Sequence, residues 1–249
     1  MYYPPVPGPV PGPVFVAGAT GYTGREVVRE CRAHGLETVA HVRPDSRQLD
    51  DWRRRFEALG ARVDTTAWEL AALTETFAQL QPGRVYSLLG TTRSRAKADT
   101  GSAVAETYEA VDYGLSLMLL EAAVACGSRP RFVYLSAMGA DGRPMNAYMD
   151  VRKRVEAAVR GSELPYLIAR PGFISGNDRD EWRAGERIAA TISDGALRVL
   201  GALGAKRAAA KYTSMTGAEL GRALVELGEA DLDGRIVAEV EQLKQAAGG

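Results

Sequence analysis

Gly18-Ala-Thr-Gly21-Tyr-Thr-Gly24 decides how this chain is read. The stretch stands between a short β-branched and aromatic run, Val14-Phe-Val-Ala17, and a segment in which Val27, Val28 and Cys31 recur at helical spacing. Glycines three residues apart allow a tight turn from strand to helix, close approach of an anion to the backbone, and close helix–strand packing. The first amides of the helix have no partner within it, and with the positive end of the helix dipole they suit a pyrophosphate. Gly18, Thr20, Gly21, Tyr22, Thr23 and Gly24 are the expected phosphate-side residues of a dinucleotide site. A packing turn with no ligand is the alternative, and the strand before and helix after favour the site.

Outward from this turn, short apolar runs alternate with helical stretches. Thr38–Val42, Ala61–Val63, Val85–Leu89, Arg131–Leu135 and Tyr166–Ala169 read as further strands. Helices are expected over 47–59, 69–80, 102–126 and 148–160, the third so apolar around Leu115–Leu120 that it needs cover on two sides. Beyond Gly172 the pattern gives helices over 181–202 and 217–228, a strand over 235–240 and a helix over 241–247. The alternation predicts an α/β fold, a doubly wound parallel sheet with a small C-terminal elaboration. One domain is expected from residue 13 to 249, with 175–235 as the elaboration, preceded by a proline-rich flexible arm over 1–12.

Composition narrows the class of partner. The 249 residues carry 31 Lys+Arg and 31 Asp+Glu, so no net charge draws the chain to nucleic acid. Cys31, Cys126, His34 and His41 are too few for a disulfide framework or a zinc site, and no metal is expected. No run approaches the ~18 apolar residues of a membrane span, and the N-terminal stretch lacks the basic and apolar regions of a signal peptide. The expectation is a cytoplasmic protein with a small-molecule substrate, no nucleic-acid or membrane partner, and a monomer rather than a dimer.

The end of the second strand faces the adenosine ribose in such folds. An acid there accepts the 2′-hydroxyl of NAD, whereas an arginine suits the 2′-phosphate of NADP. The sequence reads His41-Val-Arg43-Pro-Asp-Ser-Arg47, so Arg43 points to NADP (NADPH) as the cofactor, unless both arginines are solvated loop charges.

Four ordered segments carry a resemblance to a family. The glycine turn, Leu88-Leu-Gly-Thr-Thr-Arg93, Phe132-Val-Tyr-Leu-Ser136 and Ala169-Arg-Pro-Gly172 resemble the atypical and extended short-chain dehydrogenase/reductases, which have a Rossmann-like fold. The second segment is especially similar to the NmrA-like, Tat-interacting-protein-like subgroup. The resemblance implies cofactor contacts from Leu89, Gly90, Thr91, Pro171, Gly172 and Ile174. The family also places an acidic residue near the adenine, after the third strand, where the best-aligned position here is Ala67 or Asp64, and a substrate loop near 176–183.

The family's catalytic set is a serine that hydrogen-bonds the substrate carbonyl, a tyrosine acid/base, and a lysine four residues later that binds the ribose. Here the matching positions are Ser136, Tyr148 and Arg152. Tyr148 and Arg152 share a helical face. Arginine departs from the family pattern, because a planar guanidinium is directed differently from an ammonium, and Lys153 is turned about 100° away. The resemblance implies an NADPH-dependent oxidoreductase acting on a small carbonyl or enone compound. The alternative is a non-catalytic NADP(H)-sensing regulatory protein, and the same scaffold also serves epimerases and dehydratases.

Overall fold

The apolar runs bury both of their faces, as strands of a parallel sheet covered on two sides must. The computed structural model describes residues 11–90, 108–144, 146–175, 214–230 and 234–248. Seven strands lie in the order β3-β2-β1-β4-β5-β6-β9, every pair parallel. They are β1 Val14–Ala17, β2 Thr38–His41, β3 Arg62–Asp64, β4 Arg84–Ser87, β5 Arg131–Leu135, β6 Tyr166–Arg170 and β9 Arg235–Glu239. In register, Val14 faces Thr38 on one side and Arg84 on the other. The strand order reverses between β1 and β4, and the crevice at their carboxyl ends is where such sheets hold ligands.

Alternate residues of each strand feed two apolar layers. Val14 and Val16 join Val27, Val28 and Cys31 of α1 (Tyr22–Ala33) and Phe56 of α2 (Leu49–Ala58). Leu220 and Leu224 of α6 (Gly217–Glu229) and Leu243 of α7 (Val240–Ala247) complete that layer. Phe15 and Ala17 join the opposite layer, with Leu73 and Phe77 of α3 (Leu70–Leu80) and Leu119 of α4 (Ser116–Ala125). Val151, Val155 and Val159 of α5 (Ala147–Gly161) close it.

The strands and helices expected from the sequence are present within a residue or two, with three differences. The helix expected over 102–126 is described only from residue 108, and Tyr108–Leu115 is a π-helical segment leading into α4. Such wide turns concentrate at functional sites, and this one carries the buried Asp112. The second difference is a separate two-stranded parallel sheet that short, mixed sequences did not signal. It pairs β7 (Ile174–Ser175) with β8 (Met215–Thr216). The third concerns the apolar α4, which buries Leu119, Leu120, Ala122 and Ala123 yet leaves Val124 48% exposed. The expected helix over 181–202 and the arm's residues 1–10 lie outside the described residues.

Candidate cofactor and active site

The glycine turn has the form that a dinucleotide needs. Gly18 has φ +79°, and a β-carbon on it would come within 2.6 Å of the Leu88 carbonyl oxygen. A β-carbon on Gly24 would penetrate the Gly18 carbonyl, so these two glycines are required by the turn and by the packing of α1 on β1. Gly21 is different. A β-carbon there meets only the Gly18 oxygen, at 3.2 Å, and the residue is otherwise open to solvent. Gly21 also caps α1 without any side-chain hydrogen bond, and no acid lies in the first turn. The open end of a twelve-residue helix, free of acidic side chains in its first turn, fits a pyrophosphate. Bound there, a nicotinamide dinucleotide supplies or accepts a hydride.

The neighbouring side chains divide their roles. Thr23 is buried and Thr20 half-buried. The Tyr22 hydroxyl donates to the carbonyl of Ser175 (3.1 Å), so its side chain points to β7 and only its backbone belongs to the turn. Arg43 leaves β2 into solvent, its side chain 54% exposed and its Nε 3.7 Å from Asp45. Asp64 is occupied locally, accepting from the Thr66 amide (3.1 Å) and hydroxyl (2.8 Å). Beside it His41 is buried against Phe15 and Trp68 and bonds the Thr66 carbonyl at 2.9 Å. Burial pushes the His41 pKa down, against the opposing pull of that carbonyl and of Asp64.

Arg152 is the hub of the other half of the site. Its side chain is 6% exposed and its partner Asp112 is fully buried, with Nη2 donating to Oδ1 at 2.7 Å. The same nitrogen donates to the Leu89 carbonyl (3.3 Å), and Nη1 donates to the Tyr134 hydroxyl (3.0 Å) and the Leu135 carbonyl (2.8 Å). Burial works against its charge, and Tyr148, Tyr134 and Asp112 outweigh that, so Arg152 stays protonated. Its guanidinium lies 5.0 Å from the centroid of the Tyr148 ring and 3.1 Å from where a β-carbon on Gly90 would be. The structure therefore gathers Tyr148, Arg152, Leu89 and Gly90 in one place. Among the described residues, Arg152 Nε is a buried side-chain atom of this cluster with no hydrogen-bond partner.

Ser136 belongs to a second buried network. Its amide donates to Ala169 (2.8 Å), and its hydroxyl donates to Glu156 Oε1 at 2.6 Å. Glu156 also receives Nε and Nη2 of Arg170 at 2.9 and 2.7 Å. Burial disfavours the Glu156 carboxylate, but the hydrogen bonds from Arg170 and Ser136 and the nearby charges of Arg170 and Arg160 hold its pKa below the usual glutamate range. A carboxylate can only accept, so the Ser136 proton is committed to it. Pro171 anchors the β5–α5 loop by accepting from the Met138 amide (2.9 Å), Gly172 follows it half-buried, and Ile174 is 40% exposed on β7. Thr91 and residues 176–183 lie outside the described residues.

Sequence reading missed Asp112 and Glu156. Glu156 had a signal, since it lies four residues after Arg152 on the same helical face. Asp112 had only that of a lone carboxylate leading into an apolar helix. Among the described residues no cluster of His, Cys, Asp or Glu is placed to hold a metal, and no helix is long and apolar enough to cross a membrane.

A family described as NAD(P)H-binding matches residues 18–196. The chain is 30% identical over 178 residues to Protein HTATIP2 of Rattus norvegicus, which covers 71% of this chain and 68% of that protein. A putative epimerase from Burkholderia cenocepacia J2315 superposes with a TM-score of 0.64 at 19% identity, covering 97% of this chain and 82% of the other. MoeE5, in complex with UDP-glucose and NAD, gives a TM-score of 0.62 at 17% identity, over 93% of this chain and 79% of its own. At such identities the two structures speak for the fold alone. The matched family, the rat relative and the glycine turn agree, and the chain belongs to the NAD(P)H-binding family, in its atypical short-chain dehydrogenase/reductase branch.

Proposed function

We propose that this protein is an NADPH-dependent oxidoreductase acting on a small carbonyl or enone compound. The observation that carries the reading is the placement of the Arg152 guanidinium 5.0 Å from the Tyr148 ring, against Leu89 and Gly90 of the loop after β4. A fixed cation beside a phenol at the carboxyl ends of β4 and β5 suits an acid/base tyrosine next to a hydride donor. Tyr148 gives the proton to the carbonyl oxygen as hydride arrives at the carbon. The terminal nitrogens of Arg152 are taken by Asp112, Tyr134, Leu135 and Leu89, so what it contributes to the site is its charge.

Ser136 plays a part different from the one its family resemblance implies. With its proton held by Glu156, it offers a ligand a lone pair. It therefore does not donate to the carbonyl, whose proton comes from Tyr148. Arg43 selects the 2′-phosphate, its exposed guanidinium standing just past the end of β2. Gly18, Gly21, Gly24, Thr20 and Thr23, with the backbone of Tyr22, hold the pyrophosphate side, and Pro171, Gly172 and Ile174 border the nicotinamide.

Fluorescence titration of NADPH and NADH tests the cofactor assignment. The parent should bind NADPH more tightly by at least tenfold, and Arg43→Ala should remove most of that preference. Equal affinities in the parent would end the NADP assignment. Tight NADPH binding with no turnover on aldehydes, ketones or quinones would make the protein a sensor instead.

A further inference from the structure

Tyr22 is the first residue of α1 and lies within the glycine turn, yet its side chain serves another part of the molecule. Its hydroxyl donates to the Ser175 carbonyl at 3.1 Å, on β7. Its ring packs on Gly217, the first residue of α6, so closely that a β-carbon there would lie 2.6 Å from the ring. One turn along, a β-carbon on Gly221 would come within 2.7 Å of Glu26. The two glycines thus let α6 lie directly on α1, with Tyr22 filling the gap at their shared end. Thr216, of β8, caps α6 through a reciprocal pair with Glu219. The β7–β8 pair is small, held by two residue pairings and by the Met215 amide on Phe173 (2.9 Å). Tyr22 is its described side-chain link to the cofactor turn.

We infer that Tyr22 is a positioning residue that couples cofactor binding to the order of the β7–β8 pair. Anchoring a pyrophosphate at the α1 N-terminus restrains the turn. The restraint passes through the Tyr22 ring and hydroxyl to Ser175 and Gly217, so a loaded turn holds β7–β8 more firmly than an empty one. The two strands bracket residues 176–213 in the chain. Coupling of this kind is reciprocal: whatever loosens β7–β8 weakens the cofactor by the same factor. The inference rests on the glycine turn being the cofactor site.

Hydrogen exchange followed by mass spectrometry, on the full chain with and without saturating NADPH, tests it. In the parent, NADPH should protect amides of 18–25 and also those of 173–175 and 215–220. Tyr22→Phe removes one hydroxyl and keeps the ring. At saturating NADPH it should leave the turn protected but lose most of the added protection at β7–β8, with NADPH affinity reduced about three- to tenfold. Gly217→Ala, which displaces the ring, should weaken NADPH to at least the same degree although it adds only a methyl group on α6. Three results would overturn the coupling: parent protection confined to the turn, full β7–β8 protection in Tyr22→Phe, or unchanged NADPH affinity in Gly217→Ala. A parent whose turn gains no protection and that binds no NADPH would instead remove the cofactor site itself.

Discussion

Arg152 and Asp112 form a buried ion pair, 2.7 Å between Nη2 and Oδ1, in which both side chains are almost wholly withdrawn from water. It joins α5 to the π-helical segment and presents the cation to Tyr148. A buried pair contributes little net stability, whereas half of one is expensive, because the remaining charge has no compensation. Asp112→Ala should therefore cost about 3–5 kcal/mol, and the double change Asp112→Leu with Arg152→Met clearly less. Urea unfolding of both variants checks this. A double variant as unstable as the single one would mean that the pair itself holds the segment.

The glycines of the turn should separate stability from binding. Gly24→Ala drives a β-carbon into the Gly18 carbonyl and should lower the thermal midpoint markedly. Gly21→Leu adds a side chain where the surface is open, so the fold should survive, but binding of both dinucleotides should be lost because the pyrophosphate path is filled. Thermal unfolding and cofactor titration on the two variants read the difference.

Two buried groups should give stability a defined pH profile. Burial lowers the His41 pKa, so the unfolded chain takes up a proton at about pH 6.5 before the folded chain does, and stability falls as pH drops below that value. Glu156 is also depressed; its contribution is complete above about pH 4.3, the unfolded value, and is lost as pH falls toward its lower folded pKa. His41→Asn should flatten the loss between about pH 6.5 and 5 while leaving the steeper acid limb in place. Urea midpoints across that range measure it.

Ser136→Ala should leave KM for the carbonyl form nearly unchanged, since the Ser136 proton is held by Glu156 and is not given to the substrate. A rise in the carbonyl KM would show that Ser136 donates to the substrate after all.

The sheet was legible because its strands are buried on both faces and so appear as unbroken apolar runs, Val14–Ala17 and Tyr166–Ala169 among them. The glycine turn was legible for a steric reason, since Gly18 and Gly24 have no room for a β-carbon. The β7–β8 pair was not, because two residues per strand carry no period and its partners are separated by forty-one positions. The partners of Arg152 and Ser136 were also hidden. Asp112 and Glu156 meet them through the folded packing of separate elements, and which way a hydroxyl points depends on the carboxylate it finds there.

The central claim is that Tyr148 donates the proton that accompanies hydride transfer from NADPH. Its most direct test is the rate of NADPH oxidation by the parent and by Tyr148→Phe, each saturated with NADPH, across a panel of small aldehydes, ketones and quinones. The account predicts turnover by the parent on at least one compound, a fall of about a hundredfold or more in kcat for Tyr148→Phe, and NADPH affinity unchanged within about threefold. Turnover by the parent that is indifferent to Tyr148→Phe would contradict it, because the proton would then come from another group.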